Sequence, residues 1–568
     1  MARSKVAVVG GGPAGCVAAL TLHKLGHDVE VFERETFPRY RIGESLLPGT
    51  MSILNRLGLQ DRIDAAGFVK KPSATFLWGQ DQAPWTFSFA APKINPWVFD
   101  HAVQVKREEF DQMLMDEARS RGIPVHEATT VTGVDVSAAD SVTLSLRRAD
   151  ERWDVTADYV IDAGGSGGPL SRKLSVRRYD EFYRNFAVWS YFKLPDPFTG
   201  DLAGTTYSIT FEDGWVWMIP MKGGLYSVGL VVDRSRAAEV REMGAEAFYR
   251  ATLPKAKRAM EILGDAEMVD EVRIVQDWSY DADHFSAGRY FLCGDAACFT
   301  DPLFSQGVHL ASQSAVSAAA AIDRMTANPG ESEAVHAWYN RSYRDAYEGY
   351  HQFLASFYTF ASLTEPESEF WRQRRITESD DDRLVRRQWF DRLSDGDESA
   401  AVADFHDRAA TMIHIGKHQR QELSDEFSEA ELDAARVRWI SGLTQRLNSI
   451  SKLVWTGSKV LLKPHYKVEP LSMRLEPVHV LANDADEDLT QYVMGEAERQ
   501  VFQELAEENF GYRALVKKLG AIGKQEISAQ LVTRLMEAGL ITGFDSAGEK
   551  VVIQGRLHFG GVGVEYEV

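Results

Sequence analysis

The segment VAVVGGGPAG, residues 6–15, begins as an apolar strand that runs directly into the glycines of a GxGxxG pattern, Gly10, Gly12 and Gly15. A run of small residues typical of a helix follows, and Ala14 lies inside the pattern. Glycine permits a tight turn and close backbone approach, so a pyrophosphate binds amides at the helix N-terminus, where the helix dipole favours negative charge. The segment therefore predicts a dinucleotide-binding unit.

A second strand, VEVFE, ends at Glu33, eighteen residues after Gly15. A carboxylate here is suited to bind a ribose hydroxyl pair, and Arg34 follows it as a further candidate contact to the nucleotide. A GxGxxG pattern alone is weak evidence, because glycines also form structural turns. The strand, the helix and Glu33 together favour nucleotide binding.

A second glycine-centred segment, RYFLCGDAACFTDP at residues 289–302, places Gly294 and Asp295 between a strand and a helix. Together the two segments resemble flavoproteins of the hydroxylase type, which have one Rossmann unit. The resemblance implies that Gly294 and Asp295 contact the ribityl chain and pyrophosphate of FAD, and an ordinary strand-to-helix turn is the alternative. The expected fold is α/β, a single-Rossmann FAD-binding fold.

Composition excludes several other classes of protein. The 568 residues suggest two to four domains, and 44% hydrophobic with 26% charged residues is typical of globular chains. The net charge of −20 disfavours nucleic acid as a partner, because phosphate binding depends on clustered Lys and Arg. Three cysteines show no CxxC or extracellular disulfide pattern, no apolar run approaches the roughly 20 residues that span a bilayer, and the early first strand leaves no room for a signal peptide. We expect a cytoplasmic protein without a membrane segment.

Alternating apolar segments at residues 73–79 and 184–232 predict an antiparallel sheet that roofs the flavin. Between them, residues 107–119 have the pattern of an amphipathic helix. Its Arg107 is a candidate contact to flavin or phosphate, with a solvated charge at the helix start as the alternative.

Downstream, tyrosines recur at spacings of four, four and three, which favours a buried helix face over a pocket wall. These residues are Tyr339, Tyr343, Tyr347 and Tyr350. Residues 363–400 then become highly charged, so we place a boundary near 362. The predicted domains are an FAD-binding domain at 1–362 and a mostly helical C-terminal region at 363–568.

The C-terminal region shows three helical patterns followed by a hairpin pattern, which suggests a winged-helix-like module at about 490–560. The predicted helices span 495–508, 512–518 and 525–538, and the hairpin includes KVVIQGRLHF at 550–559. The third helix carries only Arg534 against Glu537, so DNA recognition is disfavoured. His414 and His418 have a metal-binding spacing but no third ligand nearby, so we interpret them as a surface pair and expect no metal.

Three more segments of the sequence indicate the type of reaction. GWVWMIP at 214–220 contains a WxWxIP pattern, whose two tryptophans share one strand face and by themselves favour a core position. FPRYRIGESLLP at 37–48 carries Glu44, and GFVKKPSATFLWG at 67–79 carries Lys71. In a flavin-binding chain these segments resemble the FADH2-dependent halogenases, in particular the branch that acts on acyl groups, over residues 1 to about 360.

The resemblance implies chlorination with reduced FAD, oxygen and chloride. In such enzymes a flavin C4a-hydroperoxide reacts with chloride, and a lysine directs the resulting hypochlorous acid to the substrate. Lys71 matches that lysine, whereas Lys70 is expected to be solvated. An ammonium hydrogen-bonds hypochlorous acid and a neutral amine forms a chloramine, so both charge states suit the role. The resemblance also places Glu44 beside the isoalloxazine.

The segment FSQGVH at 304–309 is expected to hold chloride on the backbone amides of Gln306 and Gly307, beside Ser305 as a candidate catalytic residue. Tryptophan halogenases carry a glutamate just before this serine, but Phe304 stands there in this chain. This departure disfavours an indole substrate and favours an acyl group that reacts as its enol or enolate.

Enol formation needs a base, and Glu44 and Tyr350 are the candidates. Asp277 precedes the GD strand and is interpreted either as a residue facing the flavin in the cofactor site or as a surface acid. A flavin hydroxylase of the same fold and a flavin-sensing regulator remain alternative functions.

A single GxGxxG unit provides no nicotinamide site, so reduced FAD is expected from a separate reductase. The acyl group is expected on a carrier protein, because a thioester enolises more readily than a free acid. Carrier proteins are commonly acidic, and residues 445–467 contain five Lys or Arg and no Asp or Glu. These charges either dock the carrier or only solvate a helix and loop.

Overall fold

The chain forms two compact units, residues 1–397 with 468–475 and residues 398–467 with 476–568. The computed structural model describes residues 2–78, 84–89, 99–174, 176–194, 200, 203–364, 368–372, 429–455, 461–482, 493–494, 496–525, 528–537 and 540–553. The predicted boundary near 362 falls in the last turn of the helix Ser332–Thr364. His414 and His418 lie outside the described residues.

The first unit is built on a six-stranded sheet whose centre is the strand Lys5–Val9. Lys5–Val9 pairs in parallel with Asp28–Phe32 on one side and with Tyr159–Asp162 on the other. In order across the sheet, the strands are Ser286–Ala287, Tyr290–Leu292, Tyr159–Asp162, Lys5–Val9, Asp28–Phe32 and Val125–His126. Only the short edge strand Ser286–Ala287 is antiparallel to its neighbour. The helix Pro13–Leu25 packs against Gly307–Ala327, which confirms the predicted Rossmann unit.

An eight-stranded sheet forms the second layer of this unit. Its strands are Ser73–Leu77, Pro84–Ser88, Arg177–Lys193, Thr206–Phe211, Gly214–Met221, Leu225–Asp233, Glu267–Met268 and Arg273–Ala282. The pairs are antiparallel, as predicted, except that Thr206–Phe211 runs parallel to Ser73–Leu77. A long excursion separates these two strands in sequence, and such a crossover permits a parallel pairing that a hairpin does not.

The two faces of the sheet pack on different partners. Trp215 and Trp217 share one face and join an aromatic core with Tyr358 of the helix Ser332–Thr364. Val216 and Met218 point to the opposite face, where the core includes residues of three short helices. This alternation of side chains confirms that the two tryptophans lie on the same side of their strand.

Smaller sheets and helices complete the unit. The remaining strands are Thr130–Asp135, Val142–Arg148 and Glu151–Ala157, which form one antiparallel sheet, and Val69–Lys71 with Ala102–Gln104, which form another. The helices not yet named are Pro48–Arg56, Gln60–Ala66, Arg107–Ser120, Pro169–Leu174, Ala237–Met243, Ala245–Thr252, Lys257–Leu263 and Glu369–Arg372. The amphipathic helix predicted at 107–119 is thus confirmed.

The tyrosine stripe of the helix Ser332–Thr364 is buried along its length, as the sequence predicts. The Tyr339 hydroxyl donates to the carbonyl of Leu292 at 2.9 Å, and Tyr343 donates to the carbonyl of Gly294 at 3.3 Å. The stripe therefore packs on the strand and turn that carry the GD pair.

The second unit has its own apolar core, formed by residues such as Leu447, Phe502 and Leu531. Its helices are Glu429–Ser449, Glu496–Glu508, Tyr512–Ala521 and Ser528–Glu537. Its strands form two three-stranded sheets, Lys452–Trp455 with Ile541–Phe544 and Lys550–Val551, and Leu461–Val468 with Leu475–Ala482 and Val493–Met494.

The predicted order of three helices and a hairpin is present in the second unit, but the hairpin starts earlier than predicted. Ile541–Phe544 pairs with Lys550–Val551 across a turn in which the Asp545 carboxylate accepts from the amides of Ala547 and Glu549. Gly548 has φ +82 in this turn. The sequence DSAG at 545–548 was the turn signal that the prediction missed. Residues 554–568 lie outside the described residues.

Among the described residues, no helix is both long and apolar enough to cross a bilayer.

Candidate active site

The glycine turn after the first strand is shaped by close backbone contacts. Gly10 has φ +97, and a Cβ there would lie 2.5 Å from the carbonyl oxygen of Ala163. A Cβ at Gly15 would lie 1.9 Å from the carbonyl oxygen of Gly10. Only glycine fits both positions, and the helix that contains Ala14 begins directly after Gly12. The turn thus has the geometry expected of a pyrophosphate cradle.

Glu33 and Arg39 lie over this turn. The buried Glu33 carboxylate accepts hydrogen bonds from the amides of Gly11 at 2.7 Å and Glu35 at 2.8 Å. The Arg39 guanidinium lies 3.4 Å from the place of a Cβ at Gly12, and its buried Nε has no hydrogen-bond partner among the described residues. A phosphate-bearing nucleotide suits a cationic group with an unused donor, so these residues fit FAD.

Arg107 is buried rather than solvated at its helix start. Its Nη1 donates to the carbonyl of Ile42 at 2.7 Å, and its Nε donates to Asp111 at 2.8 Å. The partly buried Asp295 has a raised pKa because of burial, which the positive charges of Arg107 and Arg177 oppose. Arg107 and Asp295 are therefore near enough to influence each other electrostatically, and Gly294, next to Asp295, has φ +58.

Arg34 and Asp277 are the two other predicted cofactor residues. Arg34 is largely exposed, with its Nε 3.5 Å from a Glu35 carboxylate oxygen and its guanidinium close to Gly167. Asp277 pairs with Asn185 across strands, and its side chain lies outside the described part of the structure. The cofactor roles of Arg34 and Asp277 stay predictions.

Lys71 is a buried lysine at the end of the strand Val69–Lys71. Only 1% of the residue is exposed, and its Nζ donates to the carbonyl of Leu46 at 3.0 Å. The ammonium also lies 5.4 Å from the centre of the Phe89 ring. Burial lowers the pKa of Lys71 to about 7, whereas its neighbour Lys70 is exposed, as predicted.

The short strand Ala102–Gln104 brings the Lys71 and Glu44 segments together. Lys71 pairs with Ala102 on one side of this strand. On the other side, the amide of Val105 donates to the carbonyl of Glu44 at 2.7 Å, and Leu46 donates to Val103 at 3.1 Å. The two segments therefore flank one strand, which explains how the Lys71 side chain reaches Leu46.

Glu44 is a buried acid, 3% exposed. Its Oε1 accepts a hydrogen bond from the Tyr191 hydroxyl at 2.5 Å, and its buried Oε2 has no hydrogen-bond partner among the described residues. Burial raises the pKa of Glu44 to about 7, against the lowering effects of the Tyr191 hydrogen bond, the Ser227 hydroxyl and the charges of Arg107 and Arg273. A carboxyl group with this pKa exchanges protons near neutral pH.

The first tryptophan of the WxWxIP pattern, Trp215, takes part in a hydrogen-bond network. Trp215 Nε1 donates to the Tyr358 hydroxyl at 2.9 Å, and that hydroxyl donates to Asp301 at 2.7 Å. Asp301 is fully buried and also accepts from the amide of Leu303 at 3.1 Å. The pattern is thus connected to the loop at residues 301–307.

This loop carries the predicted chloride site. Ser305 has φ +61, unusual for a residue with a side chain, and the helix Gly307–Ala327 begins two residues later. The Gln306 side chain donates to the carbonyl of Asp301 at 2.6 Å, which holds the loop closed. The amides of Gly307 and its successors have no partner within the helix, so this end attracts anions.

Tyr350 is buried on the helix Ser332–Thr364. The role of Tyr350 as a base stays a prediction.

Sequence reasoning missed several residues of this region: Arg39, Tyr191, Asp301 and Tyr358. Asp301 and Arg39 lie inside segments that the sequence singled out, so their motif context was a usable signal. Tyr191 and Tyr358 lie in an ordinary strand and helix, where nothing local distinguishes them.

Comparison with known proteins shows the family. The FAD binding domain model matches residues 3–345, and the model of the chloramphenicol halogenase CmlS C-terminal domain matches residues 439–556. The winged-helix-like expectation for that region stays a prediction. The fold expected from the sequence, an FAD-binding α/β fold with a largely helical C-terminal region, is confirmed.

Solved structures and curated relatives agree with these matches. The crystal structure of CmlS, a flavin-dependent halogenase, is 73% identical, covers 99% of this chain and 100% of that chain, and superposes with a TM-score of 0.82. The myxobacterial chondrochloren halogenase CndH is 35% identical over 69% of this chain and 90% of that chain, with a TM-score of 0.63.

The tryptophan 2-halogenase of Chondromyces crocatus is 31% identical over 65% of this chain and 70% of that protein. The chain spans about two thirds of the length of the curated relatives it matches. Because it shares both domains and most of its residues with a flavin-dependent halogenase along their whole lengths, the chain belongs to the flavin-dependent halogenases.

Proposed function

We propose that this halogenase chlorinates the carbon next to the carbonyl of an acyl thioester, with Lys71 as the group that directs hypochlorous acid. The observation that carries this proposal is the burial of Lys71 with its Nζ on the carbonyl of Leu46. Reduced FAD, when bound, supplies the oxygen activation that converts chloride into hypochlorous acid. A buried amine with a pKa of about 7 provides both an ammonium donor and a neutral amine at neutral pH.

Confinement explains why a buried lysine suits this task. Free hypochlorous acid oxidises Met and Trp, and the first unit contains an aromatic core that includes Trp189, Trp215 and Trp217. A lysine held away from water keeps the oxidant at one position. The Phe89 ring, 5.4 Å from the Lys71 ammonium, provides an apolar neighbour on one side.

Two features of the loop at 304–307 favour an acyl substrate and a chloride site. Phe304 is buried, and its ring lies 5.9 Å from that of Phe76, so this position offers no carboxylate for aromatic substitution. Chloride is proposed to bind the amides of Gln306 and Gly307 beside Ser305, where the helix dipole offsets the net charge of −20.

Glu44 is the proposed base that forms the enolate, with Tyr350 as the alternative. Its free Oε2 provides an acceptor for the α-proton, while Oε1 stays bound to Tyr191. The proton moves from the α-carbon to Oε2, and the electron pair stays on the enolate. This step needs no further reagent.

We also propose that the acyl group arrives on a carrier protein, that a separate reductase supplies reduced FAD, and that the reaction belongs to antibiotic biosynthesis. The last inference rests on the 73% identity to CmlS, which the family model names as a chloramphenicol halogenase. All three cysteines are free and buried, which suits the proposed reducing, cytoplasmic compartment.

The test is the mass of the product after incubation with reduced FAD, oxygen, chloride and a carrier-bound acyl thioester. We expect the two-mass-unit isotope pattern of chlorine on the acyl group. A gain of one oxygen without chlorine would contradict the proposal. Chlorination of free tryptophan but not of the thioester would overturn the acyl assignment, and the relative named as a tryptophan 2-halogenase makes this a required control.

A further inference from the structure

A chain of hydrogen bonds leads from Tyr40 to the buried carboxyl of Glu44. Trp189 Nε1 donates to the Tyr40 hydroxyl at 2.7 Å. The hydroxyls of Tyr40 and Tyr191 are 2.9 Å apart, and the Tyr191 hydroxyl donates to Glu44 Oε1 at 2.5 Å. All three distances are within the range of good hydrogen bonds, so the chain is continuous.

The indole of Trp189 determines what the Tyr40 proton can do. An indole N–H is a donor only, so Tyr40 cannot donate its own proton back to Trp189. That proton points either to Tyr191 or away from the chain. When the Tyr40 proton points to Tyr191, the Tyr191 proton points to Glu44. When Glu44 is protonated, the Tyr191 proton points to Tyr40 and the Tyr40 proton points away from the chain. The chain therefore has the two orientations that a proton relay needs.

Exposure increases along the same path. Glu44 is 3% and Tyr191 8% exposed, whereas Tyr40 is only half-buried. The guanidinium of Arg273 lies over the Tyr40 ring, 4.4 Å from its centre, and 5.9 Å from the centre of the Tyr191 ring. Tyr40 is thus the less enclosed end of the chain, nearer to solvent, and Glu44 is the enclosed end.

The charges around the chain favour proton exchange at Glu44 and not at the tyrosines. Burial is the largest influence on the pKa of Glu44, and it is opposed by the hydroxyls of Tyr191 and Ser227 and by the charges of Arg107 and Arg273. Burial raises the pKa values of Tyr40 and Tyr191, so both stay hydroxyls that pass a proton without ionising.

We propose that Tyr191 and Tyr40 form a proton relay that exchanges the proton of Glu44 with solvent. A proton received on Oε2 of Glu44 reaches the Tyr191 side of the carboxyl when the protonated carboxyl group rotates by half a turn. It then leaves to the Tyr191 oxygen, the Tyr191 proton moves to the Tyr40 oxygen, and the Tyr40 proton moves to water. Each oxygen gains one proton and loses one, so only the net charge of Glu44 and of the solvent changes. Tyr40 and Tyr191 act through Glu44, so they are positioning and relay residues.

This inference gives the proposed base a route for its proton, and in that sense rests on the proposed function. Its test does not depend on chlorination. It uses the full-length, flavin-bound protein and an infrared band of the protonated Glu44 carboxyl, assigned by its loss in Glu44→Gln. Proton transfer is then followed by rapid mixing from pH 8.5 to pH 5.5.

For the wild type we expect protonation of Glu44 within the mixing time. Tyr40→Phe keeps the Tyr191 hydrogen bond to Glu44, so it should leave the equilibrium pKa of Glu44 unchanged. The time that Glu44 takes to become protonated should increase to at least ten times the mixing time. Tyr191→Phe should slow protonation and also raise the pKa of Glu44 by about one unit, because it removes a donor to the carboxylate. Tyr249→Phe, which removes a buried hydroxyl bound to the carbonyl of Val228, is the matched control and should behave as wild type.

Protonation of Glu44 at the wild-type rate in Tyr40→Phe would overturn the relay. If Tyr40→Phe does not fold, Tyr191→Phe provides the same kinetic test, and an unslowed rate in that variant has the same consequence. A slowed rate together with failed chlorination of the thioester would leave the relay intact and overturn the proposed substrate alone.

Discussion

Gly229 lies directly beneath the indole ring of Trp217 on the neighbouring strand. A Cβ at position 229 would lie 2.1 Å from Trp217 Cζ2, far inside van der Waals contact. Gly229 pairs with Trp217 on one side and with Trp189 on the other, and the two indole rings are 6.3 Å apart. The second tryptophan of the WxWxIP pattern therefore depends on a glycine that lies outside the pattern.

Gly229→Ala should displace Trp217 and break its 3.1 Å hydrogen bond to Ser227. We expect a loss of about 1–3 kcal/mol in the free energy of unfolding, typical of overpacking, and a changed tryptophan emission spectrum. Thermal unfolding and fluorescence measure both. Gly330→Ala, at a position where a Cβ meets no atom within 4 Å, is the control. Equal stability and emission in the two variants would show that Trp217 has room to move.

Lys71→Ala should abolish chlorination and leave reoxidation of the flavin by oxygen intact, because the lysine acts after hypochlorous acid forms. The loss of a positioned catalytic group costs about 100-fold or more in rate. Product formation is measured by mass spectrometry and flavin reoxidation by absorbance, in the same reaction.

Lys70→Ala is the matched control for this variant, because Lys70 is the exposed neighbour on the same short strand. It should chlorinate at the wild-type rate. If Lys71→Ala retained more than about a tenth of the wild-type chlorination, Lys71 would not direct the oxidant.

The glycine cradle illustrates what local sequence predicts well, and the burial of Lys71 illustrates what it does not predict. Gly15 is required by its contact with the carbonyl of Gly10 in the same turn, which follows from the spacing of the motif, whereas Gly10 meets the carbonyl of Ala163 on the neighbouring strand segment. Lys71 was identified by resemblance, but its burial depends on pairing with Ala102, about thirty residues away. Spacing within one segment does not contain that information.

The residues that sequence reasoning missed depend on contacts across larger separations. Tyr191 reaches Glu44, and Tyr358 reaches Asp301, only because the eight-stranded sheet packs against the Rossmann unit and the helix Ser332–Thr364. Their periodicity predicts buried aromatic side chains, which is correct, but does not say where the hydroxyls point. The parallel pair Thr206–Phe211 with Ser73–Leu77 was missed for the same reason.

If Glu44 is the enolising base, exchange of the substrate's α-hydrogen should depend on pH with a defined sign. Burial raises the pKa of Glu44 to about 7, so the carboxylate that acts as the base predominates only above this pH. With an acyl-pantetheine probe in D2O and no reduced flavin, the exchange rate should rise up to about pH 7 and then level off. Proton NMR of the probe measures this rate.

Glu44→Gln should lower this exchange at least ten-fold at pH 8 and make the residual rate independent of pH near 7. Tyr350→Phe is measured beside it, because Tyr350 is the alternative base. Loss of exchange in Tyr350→Phe with full exchange in Glu44→Gln would assign the base to Tyr350 instead.

NADH or NADPH alone should not reduce the bound flavin at a useful rate. The six-stranded sheet contains a single glycine turn of the dinucleotide-binding type, at Gly10 to Gly15, and the proposed FAD site occupies it. Anaerobic absorbance of the oxidised flavin follows the reaction, and addition of a flavin reductase should restore rapid reduction. Rapid bleaching without the reductase would show that the protein binds a nicotinamide productively.

The last prediction concerns docking of an acidic carrier protein at residues 445–467. This stretch contains five Lys or Arg and no Asp or Glu on a chain of net charge −20, and the described side chain of Lys452 is exposed. The structure of Lys459 and the side chain of Lys463 lie outside the described part. Opposite charge raises the rate of association, and salt screens this effect over about 10 Å at 0.1 M.

Reversal of Lys452 and Lys459 to Glu should therefore slow association with the acyl carrier steeply at low salt and only weakly at high salt, with chlorination of a small thioester mimic unchanged. Arg241→Glu with Lys257→Glu is the control, because both side chains are exposed and the net charge changes equally. Stopped-flow association at several salt concentrations separates the two variants, since a general charge effect would slow both alike, whereas a docking surface slows only the first. Equal rates for that first variant and wild type at low salt would show that the five charges only solvate their segment.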